Sequence, residues 1–558
     1  MTKASKRPEE EVFQDLYDQT DFSFIQGEIR QRIKAALEKE NLDFTDRINL
    51  EHPDDAENGD YSTNLSFVLA KKLKKSPVEI GQKLAQILNE DEYFRQVSFA
   101  APGFINFFLS KQVLINIIAQ IDKEASDFGT QTIGQDKKIQ VEFISANPTG
   151  PLTVPNARGG FTGDTLARVY TKLGFVTERE YYINDFGNQI AKLGESVFYY
   201  YRKLQGQERE FPEDGYQGEY IEDIAKDLHA EEKDLSLEEV QTKALQMNIE
   251  SAKKTVARMG IDYDTWFAES SLHKSKKIQE TLDQLIKDNK AYEKDGAWWL
   301  RSTEYYDDKD RVLIRDNKVP TYIMGDLAYH TDKFRRDFDK VINIWGADHH
   351  GDVARLHAGL HFLGIDDNKL KILLVSLMKM EQDGKEVRMS KRKGVFVLMN
   401  DLLDKVPLDV LRFFSQMYDI KSPMVFDLDL ALDTSERNPV YYVQYAHARL
   451  CSILRKAPQD LKNTEADLSV LTNEELFIIK ELIRFPELLV TVARDYEVHL
   501  MTHYAIELAK KFHAYYQRYQ VLSDDQEISA ARLKLVAAVK IVLANTLDAL
   551  GVEAPEKM

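Results

Sequence analysis

The sequence predicts a multidomain α/β protein, with a Rossmann-like parallel-sheet domain set between an N-terminal α+β module and a C-terminal all-helical bundle. Three observations carry this reading. At 558 residues the chain exceeds what one hydrophobic core supports, because domains usually run to roughly 100–200 residues. Through the middle of the chain, short β-rich runs that end at small or polar residues alternate with helical segments. After Thr434 only helical patterning remains.

The elements follow in order. Residues Phe22 to Leu42 read as an amphipathic helix, with Ile25, Ile29, Ile33 and Leu37 at helical spacing. Helical patterns recur from Asn64 to Leu73 and from Ile80 to Leu88, and VSFAAPGFINFFLS reads as a strand broken by a turn at Pro102 and Gly103. This makes a first unit over 1–120, closed by the polar, glycine-bearing linker SDFGTQTIGQDKK. The second unit, 121–433, opens with the strand IQVEFI, the turn-rich SANPTGPL and a helix from about Asn156 to Leu173. A strand at Glu180 to Asn184 and a helix from Asn188 to Lys203 come next. The stretch at about 204–297, with its acidic tract Glu231 to Asp234, reads as a charged, solvated helical insertion. The α/β pattern returns with KVPTYIMGDLAYH, KVINIWGAD and LKILLVSL, whose carboxyl ends are where open parallel sheets bind ligands. The third unit, 434–558, reads as helices at VYYVQYAHARLCSILRK, Glu474 to Asp495, Tyr504 to Tyr519 and Ala530 to Leu550.

Composition narrows the function. With 43% hydrophobic and 30% charged residues and no apolar run longer than about Val113 to Ile121, the chain reads as soluble, with no membrane partner. MTKASKRPEE has no apolar stretch behind its basic residues, so a cytoplasmic location is expected. Cys451, the single cysteine, excludes an intramolecular disulfide and a zinc site of paired thiolates, so no structural metal is expected. The net charge of −18 argues at first against nucleic acid, but residues 434–558 carry 15 Lys+Arg against 17 Asp+Glu and are nearly neutral.

Two motifs carry chemistry. In VEFISANPTGPLTVPNARGG, residues 141–160, Pro148, Gly150 and Pro151 stiffen a turn that presents a helix N-terminus, whose free amides and dipole suit a triphosphate. The segment resembles the first signature of arginyl-tRNA synthetases, usually ANPTGPLHVGHARG. Here Thr153 and Asn156 replace the two histidines, and Pro155 replaces the glycine between them. In the family those histidines donate hydrogen bonds to phosphate oxygens as charge builds, and Thr and Asn can also donate. Proline is tolerated in a helix's first turn. VRMSKRKG, residues 387–394, places four cations within six residues after a hairpin turn at Glu381 to Lys385. It resembles the mobile phosphate-clamping loop of class I synthetases, which implies ATP contacts for Met389, Ser390 and Lys391, and for Lys391 neutralisation of departing pyrophosphate. Arg392 and Lys393 are expected to face tRNA phosphates.

Between the motifs lie groups suited to a planar, permanently charged guanidinium: Glu142, Asn147, Tyr322 and Asp326. Tyr322 and Asp326 are four apart, on one face of a helical turn. The resemblance implies that Asp326, Tyr322 and Glu142 surround the arginine side chain and that Asn147 meets its backbone end. In WGADHHG it implies ATP contacts for Gly346 and Asp348 and substrate contacts for His349 and His350. NPVYYVQYAHARLCSILRK resembles the opening of the family's anticodon-binding domain, where Tyr441, Tyr445 and Arg449 share a helical face that can stack on unpaired bases. GDYSTN and APGFINFFLS resemble the N-terminal extension of arginyl enzymes, which in the family touches the tRNA elbow.

The resemblance therefore implies an arginine–tRNA ligase that uses ATP with Mg2+, charges tRNA(Arg) and acts as a monomer. The runner-up is a catalytically impaired synthetase-like protein that binds RNA or arginine.

Overall fold

The computed structural model describes residues 24–42, 44, 48–207, 209–231, 234–305, 307–387 and 398–558. A helix at Ile25–Lys39, inside the expected Phe22 to Leu42, buries Ile25, Ile29, Ile33 and Leu37 in one stripe. It belongs to an antiparallel sheet layer of order β1-β3-β2, built from β1 (Tyr61–Thr63), β2 (Phe94–Ala100) and β3 (Phe104–Leu109). The turn expected around Pro102 and Gly103 joins β2 to β3.

The central sheet is parallel throughout, in the order β11-β10-β4-β5-β6. Its strands are β4 (Lys138–Glu142), β5 (Val176–Ile183), β6 (Thr265–Ala268), and, beyond a small antiparallel sheet of β7 (Ala291–Lys294), β8 (Ala297–Leu300) and β9 (Arg311–Ile314), β10 (Lys340–Gly346) and β11 (Leu370–Val375). In β4 and β10 all residues but Lys138 and the last two of β10 are buried, as strands covered on both faces require. The helix that follows β4, Pro155–Lys172, packs so close that a Cβ on Gly163 would lie 2.5 Å from Phe143 Cδ1. Of the three later apolar runs, KVINIWG and LKILLV are strands, while YIMGDLAYH is helical, within Tyr322–Arg335. The turn expected at Glu381 to Lys385 joins β12 (Met378–Gln382) to β13 (Lys385–Glu386), with Asp383 and Gly384 both at positive φ.

One expectation is corrected. The stretch 204–297 is not only a solvated helical insertion: it holds the helices Glu219–Glu231 and Leu237–Arg258, but also β6, an edge strand of the central sheet, and the β7–β8 hairpin. Its helices have their own apolar core, with Ile221, Ala225, Val240 and Ala244 against Leu193 and Val197.

The C-terminal part is a bundle of long helices, Pro439–Lys456, Asn473–Leu482, Arg484–Asp495, His499–Arg518 and Gln526–Leu550. It is tied to both other parts. Glu487 accepts from Tyr61 Oη at 2.7 Å and from Gln26 Nε2 at 3.0 Å, and its Oε2 lies 2.7 Å from His52 Nε2. Arg412, 1% exposed, pairs with Asp164 of the Pro155–Lys172 helix and donates to Leu550 O and Met259 O, each at 3.1 Å.

Candidate active site

The carboxyl ends of β4, β10 and β11 open on one side of the sheet, and the loop leaving β4 crosses that opening. Ser145 Oγ donates to Glu142 Oε1 at 3.0 Å and accepts from Tyr182 N at 3.1 Å, while Tyr181 Oη donates to Ala146 O at 3.0 Å and accepts from Ala146 N at 3.1 Å. The loop feeds the helix Pro155–Lys172, with Pro155 at its first position.

Thr153 and Asn156 do not stand as two independent donors. Asn156 Oδ1 accepts from Thr153 N at 2.9 Å and from Thr153 Oγ1 at 3.1 Å. The Thr153 hydroxyl proton is therefore engaged, and the amide Nδ2 of Asn156 is the donor left over from the pair. Thr153 also bridges Leu398, and Met399 N donates to Leu152 O at 2.9 Å. The chain leaving the second motif thus returns beside the first. Met389, Ser390, Lys391, Arg392 and Lys393 lie outside the described residues.

The amino-acid end differs from the expectation in one respect. Glu142 is not a free carboxylate, because the fully buried Lys333 places Nζ 2.5 Å from Glu142 Oε2 and 3.0 Å from Asn343 Oδ1. Beside it, Glu180 accepts from Arg336 Nη1 at 2.7 Å and from the Tyr329 hydroxyl. These two acids are already neutralised, as buried charges must be.

Asp326 and Glu269 are the acids left over. Among the described residues neither has a Lys or Arg within ion-pair distance. Burial pushes Asp326 up to about 8, and Glu142, Asp352 and Glu269 add to the rise against the opposing charge of Lys333. Burial likewise raises Glu269 to about 7, with Asp185 adding to it and a hydrogen bond from Tyr182 opposing it. Glu269 sits near Asp326 across the helix start, since a Cβ on Gly325 would lie 3.3 Å from Glu269 Oε1. In the orientation that satisfies both its polar atoms, Asn184 donates to Glu269 Oε2 at 3.0 Å. His273 Nε2 is 3.8 Å from Glu269, and burial holds this imidazole below its usual range. Tyr322 stands at the rim, 63% exposed. Two acids without a Lys or Arg partner, with tyrosine nearby, have chemistry suited to a planar cation.

Glu269 was not foreseen, since it follows β6 inside the charged stretch. Its signal was there: TWFA is a short aromatic, β-prone run ending at an acid. Lys333 was also missed, because its partners come from β4, β5 and β10.

Other expected residues fall where a strand-end site needs them. Gly346, Asp348, His349 and His350 are exposed at the end of β10, where His349 Nδ1 lies 3.0 Å from Asp352 Oδ2. Pro148, Gly150, Pro151 and Asn147 lie in the crossing loop. Among the described residues no group of three or more His, Cys, Asp or Glu side chains is arranged to hold a metal ion.

In the bundle, Tyr441 and Tyr445 stack with planes 9° apart, and the Arg449 guanidinium sits 4.6 Å from the Tyr445 ring centre and 5.4 Å from that of Tyr516. Arg449 Nη2 donates to Tyr445 Oη at 2.6 Å. The expected face exists as a row of half-buried rings and a guanidinium.

Comparison with known proteins gives a consistent result along the chain. Residues 27–109 match the arginyl tRNA synthetase N-terminal domain, 118–411 the catalytic domain of class I (R) tRNA synthetases, and 443–558 the DALR anticodon binding domain. The arginine–tRNA ligase of Desulfitobacterium hafniense is 44% identical over 545 residues, covering 94% of this chain and 97% of its own length. That of Caldanaerobacter subterraneus is 43% identical over 534 residues, covering 93% and 95%. The fold also matches the arginyl-tRNA synthetase of Thermus thermophilus, with a TM-score of 0.76 at 23% identity over 96% of this chain and 100% of that one.

Proposed function

From the premise that the chain belongs to the arginyl-tRNA synthetase family, we infer that it is an arginine–tRNA ligase. The arginine carboxylate attacks the α-phosphorus of ATP, the bond to the β,γ-phosphates breaks, and pyrophosphate leaves. A terminal ribose hydroxyl of tRNA(Arg) then attacks the mixed anhydride, giving arginyl-tRNA and AMP. The observation that carries the arginine specificity is the pair of acids without a Lys or Arg partner, Asp326 at the start of the Tyr322–Arg335 helix and Glu269 at the end of β6.

On this reading the residues take the following roles. Asp326 and Glu269 bind the guanidinium, with Tyr322 covering it and Asn184 orienting Glu269. Glu142, already balanced by Lys333, shapes the pocket wall through Ser145 and does not serve as the primary counter-ion. Asn147 meets the backbone end of arginine, and His349 and His350 line the same opening. Magnesium-bound ATP lies along the crossing loop, with Gly346 and Asp348 beside the nucleotide. The Asn156 amide and the cation of Lys391 face the charge that develops on the phosphates. Met389 and Ser390 contact ATP together with Lys391. Tyr441, Tyr445 and Arg449 stack on unpaired anticodon bases, and Arg392 and Lys393 contact tRNA phosphate. The three parts act as tRNA-contacting module (1–120), catalytic domain (121–433) and anticodon-binding domain (434–558), in a cytoplasmic monomer.

Aminoacylation of tRNA by the purified protein, run with each of the twenty amino acids, tests the reading. Arginine alone should be charged, since a neutral substrate would leave two buried carboxylates unpaired. Comparable charging of lysine or glutamine would overturn the pocket assignment, and absence of any charging would overturn the activity.

A further inference from the structure

The insertion helices meet the nucleotide end of the site from outside the sheet. Among the described residues, segment 147–151 makes no backbone hydrogen bond to the rest of the chain. Its two links are side-chain donations from the insertion: Tyr220 Oη to Thr149 O at 2.9 Å and Asn248 Nδ2 to Pro148 O at 3.1 Å. Asn248 is 4% exposed in the middle of the helix Leu237–Arg258, where an amide without a partner would cost stability. The Tyr220 ring lies against Gly150, where a Cβ would come within 3.2 Å of it.

The same helix also holds the Met399–Leu403 helix. Two turns beyond Asn248, Thr255 Oγ1 accepts from Asn400 Nδ2 at 3.0 Å, and Arg258 Nη1 donates to Asn400 Oδ1 at 2.8 Å and pairs with Asp404 at 2.5 Å. Asn400 follows closely on the segment that carries the second motif. One rigid helix therefore touches the loop inside the first signature and the Met399–Leu403 helix, over a span of about 10–15 Å.

We propose that the Leu237–Arg258 helix is a strut for the first-signature loop, and that Asn248 and Tyr220 are positioning residues for the ATP phosphates. A trans peptide plane points its N–H opposite its C=O. Drawing the carbonyls of Pro148 and Thr149 toward the insertion turns the N–H groups of Thr149 and Gly150 away from it. Those amides have no hydrogen-bond partner in the described structure and are held in one direction for an anion. The proposal rests on the arginine–tRNA ligase reading above, in which this loop borders ATP.

The test uses the full chain and two variants, Asn248→Ala and Tyr220→Phe. ATP affinity is measured by equilibrium dialysis, and the ATP and arginine KM values and kcat by pyrophosphate exchange in the presence of tRNA. ATP affinity should weaken about tenfold for Asn248→Ala and about threefold for Tyr220→Phe, the range one hydrogen bond covers, with arginine KM unchanged. Folded variants that bind ATP like the parent and differ only in Tm would make the helix a scaffold and overturn the proposal. Should Asn248→Ala fail to fold, Tyr220→Phe decides alone, because it keeps the ring against Gly150. A parent that binds ATP without activating arginine refutes the ligase reading while the affinities still judge the strut, and a parent that binds no ATP overturns both.

Discussion

The two ends of the active site are built on opposite principles. At the proposed arginine end, Asp326 and Glu269 are fixed by a helix start and a strand end, and among the described residues neither has a Lys or Arg partner. At the phosphate end, the described groups are small and neutral, and the loop that carries them is held by hydrogen bonds from outside the sheet. Specificity for a permanently charged side chain can be stored in advance as buried acids that a bound cation ionises. Binding to phosphates whose charge shifts during the reaction needs adjustable donors and a clamp that moves. Glu142 sharpens the contrast: it is more deeply buried than Asp326 or Glu269 and already paired with Lys333, so it adds shape and not charge.

The largest expected effect is at the arginine end. Asp326→Asn or Glu269→Gln removes one partner of a buried charge pair in the arginine complex, and kcat/KM for arginine should fall by about 3–5 kcal/mol in transition-state stabilisation. ATP affinity should not change. If the two ends were built alike, both substrates would suffer equally. Next comes Lys391→Ala, expected to cost about 2–4 kcal/mol and to lower turnover more than arginine affinity, because its charge acts mainly in the transition state. A variant that charged tRNA at the parental rate would reduce the loop to a basic turn.

Acidity gives a third test. Asp326 at about 8 and Glu269 at about 7 are protonated in the empty pocket below those values, and the guanidinium favours their ionised forms. Arginine binding should therefore release protons, and its affinity should fall as pH drops through 8 and then 7, by up to about tenfold per unit for each proton released. Calorimetry in buffers of different ionisation enthalpy counts those protons. The stability sign is the reverse of a paired carboxylate's. The folded pKa of Asp326 lies above its unfolded value, so the folded state loses stability as pH rises toward 8, and Asp326→Asn should raise Tm there by a few degrees. A pH-independent arginine affinity would mean the carboxylates are ionised before the substrate arrives.

The smallest effect separates Thr153 from Asn156. Since the hydroxyl is engaged by Asn156 Oδ1, Asn156→Ala should slow adenylation by about tenfold and Thr153→Ala by less, read by pyrophosphate exchange. Equal losses would mean that both face the phosphates. Thr153→His with Asn156→His should be slower than the parent, because Pro155 keeps a helix start shaped for short side chains.

Much of this was legible because it is local. The first motif announces a strand, a stiff turn and a helix N-terminus within twenty residues, and the alternation around KVINIWG and LKILLV marks buried parallel strands. Tyr322 and Asp326 could be placed on one helical face by spacing alone. What stayed hidden depends on distant partners. Lys333 sits in a polar-looking stretch, YHTDKFRR, and is buried only because Glu142 and Asn343 arrive from other strands. Glu269 was concealed by the charge around it, and the insertion's hold on the signature loop spans 100 residues between Asn248 and Pro148. The mutual pairing of Thr153 and Asn156 was within local reach, but a motif read for what it presents to a ligand does not show what its members do to each other.

The Arg412 contacts set a rule for how such a chain can be rebuilt. Its guanidinium joins the helix behind the first signature, the end of the insertion and the last turn of the C-terminal helix, and a Cβ on Gly551, at φ +67°, would press on Arg412 Cζ at 2.5 Å. The bundle is therefore not a cassette that can be exchanged at the junction near residue 434. A chimera carrying a foreign bundle would need a matching glycine and helix end some hundred residues past the splice, or the buried aspartate of the first-signature helix would keep Arg168 and Arg179 but lose its buried third partner. Recombination, natural or designed, would have to carry Asp164, Arg412 and Gly551 together as one inherited unit.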